Sequence, residues 1–127
     1  MAHGIGAYLG NAWLNALGNN TSFAVAQVYV KLHVGDPGAA GTASPATETT
    51  RKAASFGVAS GGVLASDADV SWTNIAGSED ANHFTAWDSL TTGNFLFSGT
   101  ITANPYDAGD TYTISSGNLT ATLTLAS

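Results

Sequence analysis

Two stretches of strict two-residue alternation do most to limit what this chain can become. Leu119, Ala121, Leu123 and Leu125 alternate with Thr120, Thr122 and Thr124. Earlier, Val28, Val30 and Leu32 fall on one side of a run, and Tyr29, Lys31 and His33 on the other. Successive side chains of a β-strand point to opposite faces, so each run reads as a strand with one face on a core and one toward water. The 119–125 run is the clearest strand of the chain, and the 25–34 run is the strongest in its first half.

Shorter runs at 52–58, 63–66, 68–73, 83–88, 94–102 and 111–115 predict further strands. Gly35-Asp36-Pro37-Gly38 is a concentrated turn signal, and Gly61-Gly62 predicts a hairpin turn. Residues 39–50 are small and polar throughout and carry no core-forming residue, so they read as a loop that is mobile or ordered by a partner. Residues 75–82 form a second loop.

The N-terminal segment breaks the period. Ile5, Tyr8, Leu9, Ala12, Trp13, Ala16 and Leu17 are spaced as one face of a helix, with Gly18 and Asn19-Asn20 as the stop. A helix over 5–17 is too short to persist alone and needs a docking surface on its own domain or on a neighbour. The fold class predicted is mainly β: an antiparallel β-sandwich or jelly-roll-like barrel with one short N-terminal amphipathic helix. The helical segment spans 1–22 and the β-sandwich domain 23–127.

Composition narrows the function. The chain has 127 residues, 44% hydrophobic and 9% charged, where about 25% charged is typical. Thr, Ser, Asn and Gly supply the polarity. Low surface charge suits a protein whose surface meets other subunits, because interface cores are depleted in charge. Net charge is −6, and Lys31, Arg51 and Lys52 are the only Lys and Arg residues. Three cations cannot form the basic stripe that displaces counterions from phosphate, so neither nucleic acid nor an anionic membrane is an expected partner. There is no cysteine, which removes disulfides, thiolate zinc sites and thiol nucleophiles. The N-terminus lacks the basic region of a signal peptide, and no apolar run approaches the roughly 18 residues of a membrane span.

No constellation carries chemistry. His33 and Asp36 could start a metal site but lack a third ligand, and read as a strand-surface His before a turn Asp. Asp67 with Asp69, and Glu79 with Asp80, lack calcium-loop spacing and read as solvated loops. His83 and Asp88 could serve Ser78 or Ser89, but neither Ser sits in a nucleophile elbow. The Gly-rich 57–62 stretch lacks the Lys of a phosphate loop. No catalytic residue, metal or cofactor is expected.

Taken in order, the segments Val28-Tyr29-Val30-Lys31-Leu32-His33-Val34-Gly35-Asp36-Pro37-Gly38 and Ala40-Gly41-Thr42-Ala43 resemble the opening of a family of small tailed-phage virion proteins. Arg51-Lys52-Ala53 is similar to its short arginine-containing strand, Gly61-Gly62-Val63 and Val70-Ser71-Trp72 to its next region, and His83-Phe84-Thr85-Ala86-Trp87-Asp88 to its Trp-Asp box. Ala108-Gly109-Asp110-Thr111 and Ser116-Gly117-Asn118-Leu119 resemble its closing hairpin. Ala43-Ser44-Pro45-Ala46 departs from the family's more acidic turn, and Thr85-Ala86 stands where a glycine is common.

Members are often labelled tail fibre proteins, and some relatives are capsid decoration proteins. The resemblance implies a non-enzymatic virion structural protein assembled in the host cytoplasm. The leading expectation is a minor capsid protein decorating the outer shell, as a homotrimer that clamps the major capsid protein. The alternative is a tail fibre or baseplate component that contacts the host and binds carbohydrate. Ile5, Tyr8, Leu9, Trp13 and Leu17, with Arg51 and Lys52, are the expected interface residues. Trp72, Trp87 and Tyr106 are the expected exposed aromatics for a sugar.

Overall fold

Strand β1 (Val28–His33) organises the molecule, because it is hydrogen-bonded on both sides. A computed structural model describes residues 4–126. Residues 1–3 of the 1–22 segment and Ser127 lie outside the described residues. β1 pairs antiparallel with β2 (Lys52–Ala54) along one edge and with β5 (His83–Trp87) along the other. β5 turns back into β6 (Phe95–Thr100), giving a four-stranded sheet of order β2-β1-β5-β6. An irregularity between Ala86 and Trp87 shifts the β5–β6 register by one residue.

Two antiparallel ribbons complete the eight strands among the described residues. β3 (Val63–Ala65) pairs with β8 (Thr120–Thr122), and β4 (Val70–Trp72) pairs with β7 (Tyr112–Ile114). β4 packs near β2, and β8 near β6, so the ribbons lie against the sheet. The fold is thus mainly β with one short helix, α1 (Ala7–Gly18). The core joins Val30, Leu32, Phe84, Ala86, Leu96 and Phe97 of the sheet to Val70, Trp72, Tyr112 and Ile114 of a ribbon. Phe84 and Phe97 meet edge-on at 5.8 Å, the arrangement that aromatic quadrupoles favour.

The turn signals hold. Gly61 and Gly62 both have positive φ and reverse the chain between Ser60 and Val63. Gly38 has φ +78° after Asp36, whose carboxylate accepts its N–H at 3.0 Å.

Two expectations need correction. His33 is not on a strand surface but is fully buried. Alternation fails here because β1 is an interior strand whose second face is covered by the loop that follows it. That loop is neither loose nor free of core residues. Ala46 and Glu48 are buried, Ala46 N–H donates to the Leu32 carbonyl at 3.1 Å, and Val34 N–H donates to Ser44 at 2.9 Å. Gly41 faces Phe95 so closely that a Cβ would lie 2.5 Å from its ring. Small residues let this segment lie flat against the sheet, and that is why their composition resembled a loose linker.

Candidate assembly interface

Helix α1 is anchored at one end and open along its length. Gly6 N–H donates to the Leu96 carbonyl at 2.7 Å, Ser98 N–H donates to Gly4 at 2.8 Å, and Ile5 bridges Phe97. Residues 4–6 thus act as a short extra strand on the outer edge of β6. A side chain at Gly6 would collide with Phe95 and with the Leu96 carbonyl, so glycine is required for this approach. Asn19 caps the other end by donating its N–H to Asn15 at 2.8 Å.

Between these ends, Leu9 is the buried residue of the helix. Tyr8 packs edge-on against Phe23 at 6.0 Å, yet remains exposed. Trp13, Leu14 and Leu17 are 37%, 64% and 85% exposed. No Asp, Glu, Lys or Arg lies anywhere in α1. The apolar face read from spacing exists, but its own domain covers one turn of it.

An apolar groove of about 220 Å³ runs beside the helix, lined by Ile5, Leu9, Trp13, Leu64, Phe97 and Leu123 among others. A shallower extension continues past Gly10 to Leu14 and Leu17. The C-terminal alternation needs correction at this point. Leu119 is buried, but Leu123 and Leu125 are 47% and 56% exposed. The strand stops at Thr122, and its apolar row runs off the core and along the groove. Leu123 is held there by its N–H, which donates to Gly62 at 2.7 Å. Exposed apolar patches of this kind mark contact sites on soluble proteins. Spacing found the helix face. The second wall, from Leu64 and Leu123, was missed because its residues read as ordinary core.

Arg51 and Lys52 are not brought to this face. They lie on the β2 side of the sheet, across it from β6, on which α1 sits. The Arg51 guanidinium stacks on the Trp87 ring at 4.2 Å and donates to the carbonyls of Ser89 and Thr92, both at 2.7 Å. It clamps the β5–β6 loop. Planar stacking with two directed bonds is a task that suits Arg better than Lys.

The three expected sugar-stacking aromatics do not form a platform. Trp72, Trp87 and Tyr106 are 1%, 8% and 6% exposed. Trp72 donates its indole N–H to the Thr50 carbonyl at 2.8 Å, and Trp87 to the Thr85 hydroxyl at 2.7 Å. Tyr106 packs 5.0 Å from Tyr112, and burial, with Glu79 nearby, pushes its hydroxyl up to about 12. These rings are buried because the ribbon and the loops close over them.

The polar residues weighed for chemistry hold loops instead. Both nitrogens of His33 are engaged: Nδ1 with the Ala43 carbonyl at 2.8 Å and Nε2 with the Thr85 hydroxyl at 2.9 Å. Asp69 accepts from Ser116 N–H, Glu79 from Thr47 N–H, and Asp67 from the Ser55 hydroxyl. Asp88 accepts from the backbone and side-chain amides of Asn94, at 2.7 and 2.9 Å. Ser78 accepts from Ala108 N–H at 2.9 Å. Glu48, which sequence reading passed over, is buried and accepts from Thr50 and Ala76 N–H. Among the described residues, no group of three or more His, Asp or Glu could hold a metal ion. None of the described helices is long and apolar enough to cross a membrane.

Residues 4–122 match the family model described as Podophage GP4 fiber I protein gp80. A search of curated proteins found no match.

Proposed function

Since this chain belongs to the family of the Podophage GP4 fiber I protein gp80, a family of tailed-phage virion proteins, we propose that it is a non-catalytic structural subunit of a fibre attached to the virion. The observation that carries the reading is the charge-free α1 face with its adjoining groove. Trp13, Leu14 and Leu17 are held in water by a helix that is hydrogen-bonded to β6 through Gly4 and Gly6, and covering that apolar surface with a neighbour is favourable. A neighbouring virion subunit, whether another copy or a different chain, is the occupant this reading assigns. Many such contacts in one particle act together, so each can be weak. The engaged histidines and carboxylates favour a protein without an active site.

A second reading is capsid decoration: a homotrimer on the outer shell, clamping the major capsid protein. The same apolar face favours it, since seating on a shell lattice would also bury Leu14 and Leu17. The two readings differ in copy number. Densitometry of purified virions is expected to give a small number of copies for a fibre and hundreds for a decoration protein. Reconstruction of the virion then tests the attachment. Density placing α1 in solvent would overturn the assigned interface.

A further inference from the structure

We propose that the groove between residues 101–104 and β7 takes one extended, uncharged strand from a different polypeptide chain, which completes a sheet across the gap. This site goes beyond the assembly reading, because none of its lining residues lines the apolar groove beside α1.

Both walls are backbone segments already paired on their far sides. Ile101 N–H donates to the Asn82 carbonyl at 3.0 Å, and Tyr106 and Glu79 exchange both backbone bonds, at 3.0 and 3.1 Å. That ties 101–106 to 79–82 along one side. β7 is tied to β4 along one side and has no second strand neighbour. No backbone hydrogen bond crosses the groove, and residues 102–104 make none with the described residues. Along an extended chain successive amides point to opposite sides, and Ile101 donates away from the groove, which turns the Thr102 N–H toward it. More residues separate Ile101 from Tyr106 than separate Glu79 from Asn82, so 102–104 have the slack to close on a guest.

Another main chain is what such walls match. Each guest residue brings one N–H and one C=O, and a strand offers them along both of its edges. Residues 4–6 already add to β6 in this way within the chain itself. The lining narrows the guest. No Asp, Glu, Lys, Arg or His lines the groove, so a charge drawn into it would find no counter-charge. Thr102, Asn104, Thr113 and Ser115 line it with hydroxyls and a carboxamide, and a space of about 350 Å³ admits small side chains. An extended segment of Ala, Ser and Thr meets both conditions. This chain has no spare strand to lend. Each of its described strands is paired, and the residues after β8 are held at Gly62, which accepts from Leu123 N–H at 2.7 Å and lies against the Leu125 side chain. The donor is therefore a different chain.

The test is an amide chemical-shift titration of the ¹⁵N-labelled full chain with end-capped octapeptides that alternate Ala with Thr, Ala with Lys, or Ala with Glu. The Ala–Thr peptide should give saturable shifts confined to residues 102–104 and 112–118, with slowed hydrogen exchange at the Thr102 amide. The two charged peptides should bind about tenfold more weakly or worse. Thr102→Pro removes an amide that has no partner within the fold and should weaken binding about tenfold or more, whereas Thr102→Ala keeps that amide and should not. Methylating alternate peptide nitrogens blocks one edge of the guest without touching the protein, and should abolish binding too. Leu17→Asp should bind the peptide as the parent does, so loss of the assembly face and loss of this site are separable. The proposal is overturned if the Ala–Thr peptide shifts no amide or shifts others, if a charged peptide binds as tightly, or if the methylated peptide binds unchanged. It is equally overturned if Thr102→Pro binds unchanged, if Thr102→Ala weakens binding as much, or if the same amides shift when the chain alone is concentrated, which would make a second copy the occupant.

Discussion

His33 and Trp87 meet on one hydroxyl. Thr85 Oγ1 lies 2.9 Å from Nε2 of His33 and 2.7 Å from the indole nitrogen of Trp87. A carbonyl can only accept, so the Ala43 contact puts the proton of His33 on Nδ1. Nε2 then accepts from Thr85, whose oxygen accepts from Trp87. One hydroxyl thereby satisfies two buried ring nitrogens from two adjacent strands.

That relay requires a neutral imidazole, and burial pushes the His33 ring below its usual 6.5, with Lys31 and His83 adding repulsion against the Ala43 bond. In the unfolded chain His33 takes up a proton near 6.5, while the folded chain resists it. Stability is therefore fully present above that pH and falls as pH drops from 6.5 toward the lower folded value. Urea midpoints measured against pH should decline in this window, and His33→Gln, though less stable overall, should flatten the decline. Burial raises the Asp88 carboxyl, but the Asn94 bonds and Arg51 outweigh it, leaving the net value below 3.8. Its contribution is present above 3.8 and is lost in a separate, more acid window.

Thr85→Val keeps the shape and removes the hydroxyl. It should leave both ring nitrogens unsatisfied, at about 1–3 kcal/mol for each orphaned group. Chemical denaturation measures the loss. A change within experimental error would mean that water replaces the hydroxyl.

Gly62 and Gly61 should respond differently to alanine. Both have positive φ, but a Cβ at Gly62 would lie 2.6 Å from the Leu123 carbonyl, whereas one at Gly61 meets nothing within 4 Å. Gly61→Ala should lose about 1 kcal/mol from backbone strain, and Gly62→Ala distinctly more. Hydrogen exchange at the Leu123 amide, which donates to Gly62, should accelerate in the second variant alone.

Leu17→Asp should leave the isolated chain as stable as before, within about 0.5 kcal/mol, because Leu17 is 85% exposed. Incorporation into virions, measured by complementation of a deletion phage, should fall sharply. Unchanged incorporation would remove α1 from the attachment surface.

Arg51→Lys keeps the charge but should release the loop after β5, since an ammonium cannot both stack on Trp87 and reach the carbonyls of Ser89 and Thr92. A loss of about 1–2 kcal/mol is expected, with faster proteolysis near Leu90.

Sequence periodicity located the helix, its stop at Asn19, and every strand to within a few residues. It failed where an alternating run was covered on both faces, at His33, and where one continued past the core, at Leu123. Neither outcome is local: the first depends on residues 43–46 folding back over β1, the second on α1 and β8 both packing on β6 and leaving a groove between them. The aromatic assignments failed for the same reason, because the spacing of Trp72 and Tyr106 carries no information about the loops that enclose them. Family resemblance was legible in the order of short motifs, which tertiary context does not scramble.

The short strand made by residues 4–6 has a consequence for how copies behave in a crowded infected cell. It occupies the outer edge of β6 along Leu96, Phe97 and Ser98, two of them large and apolar. Left bare, such an edge would offer a template for cross-β stacking among newly made chains. With Gly4, Ile5 and Gly6 already paired there, that half of the edge is closed to amyloid-like growth, and a deletion that removes them should make the subunit more prone to aggregate, as light scattering of the purified chain would show.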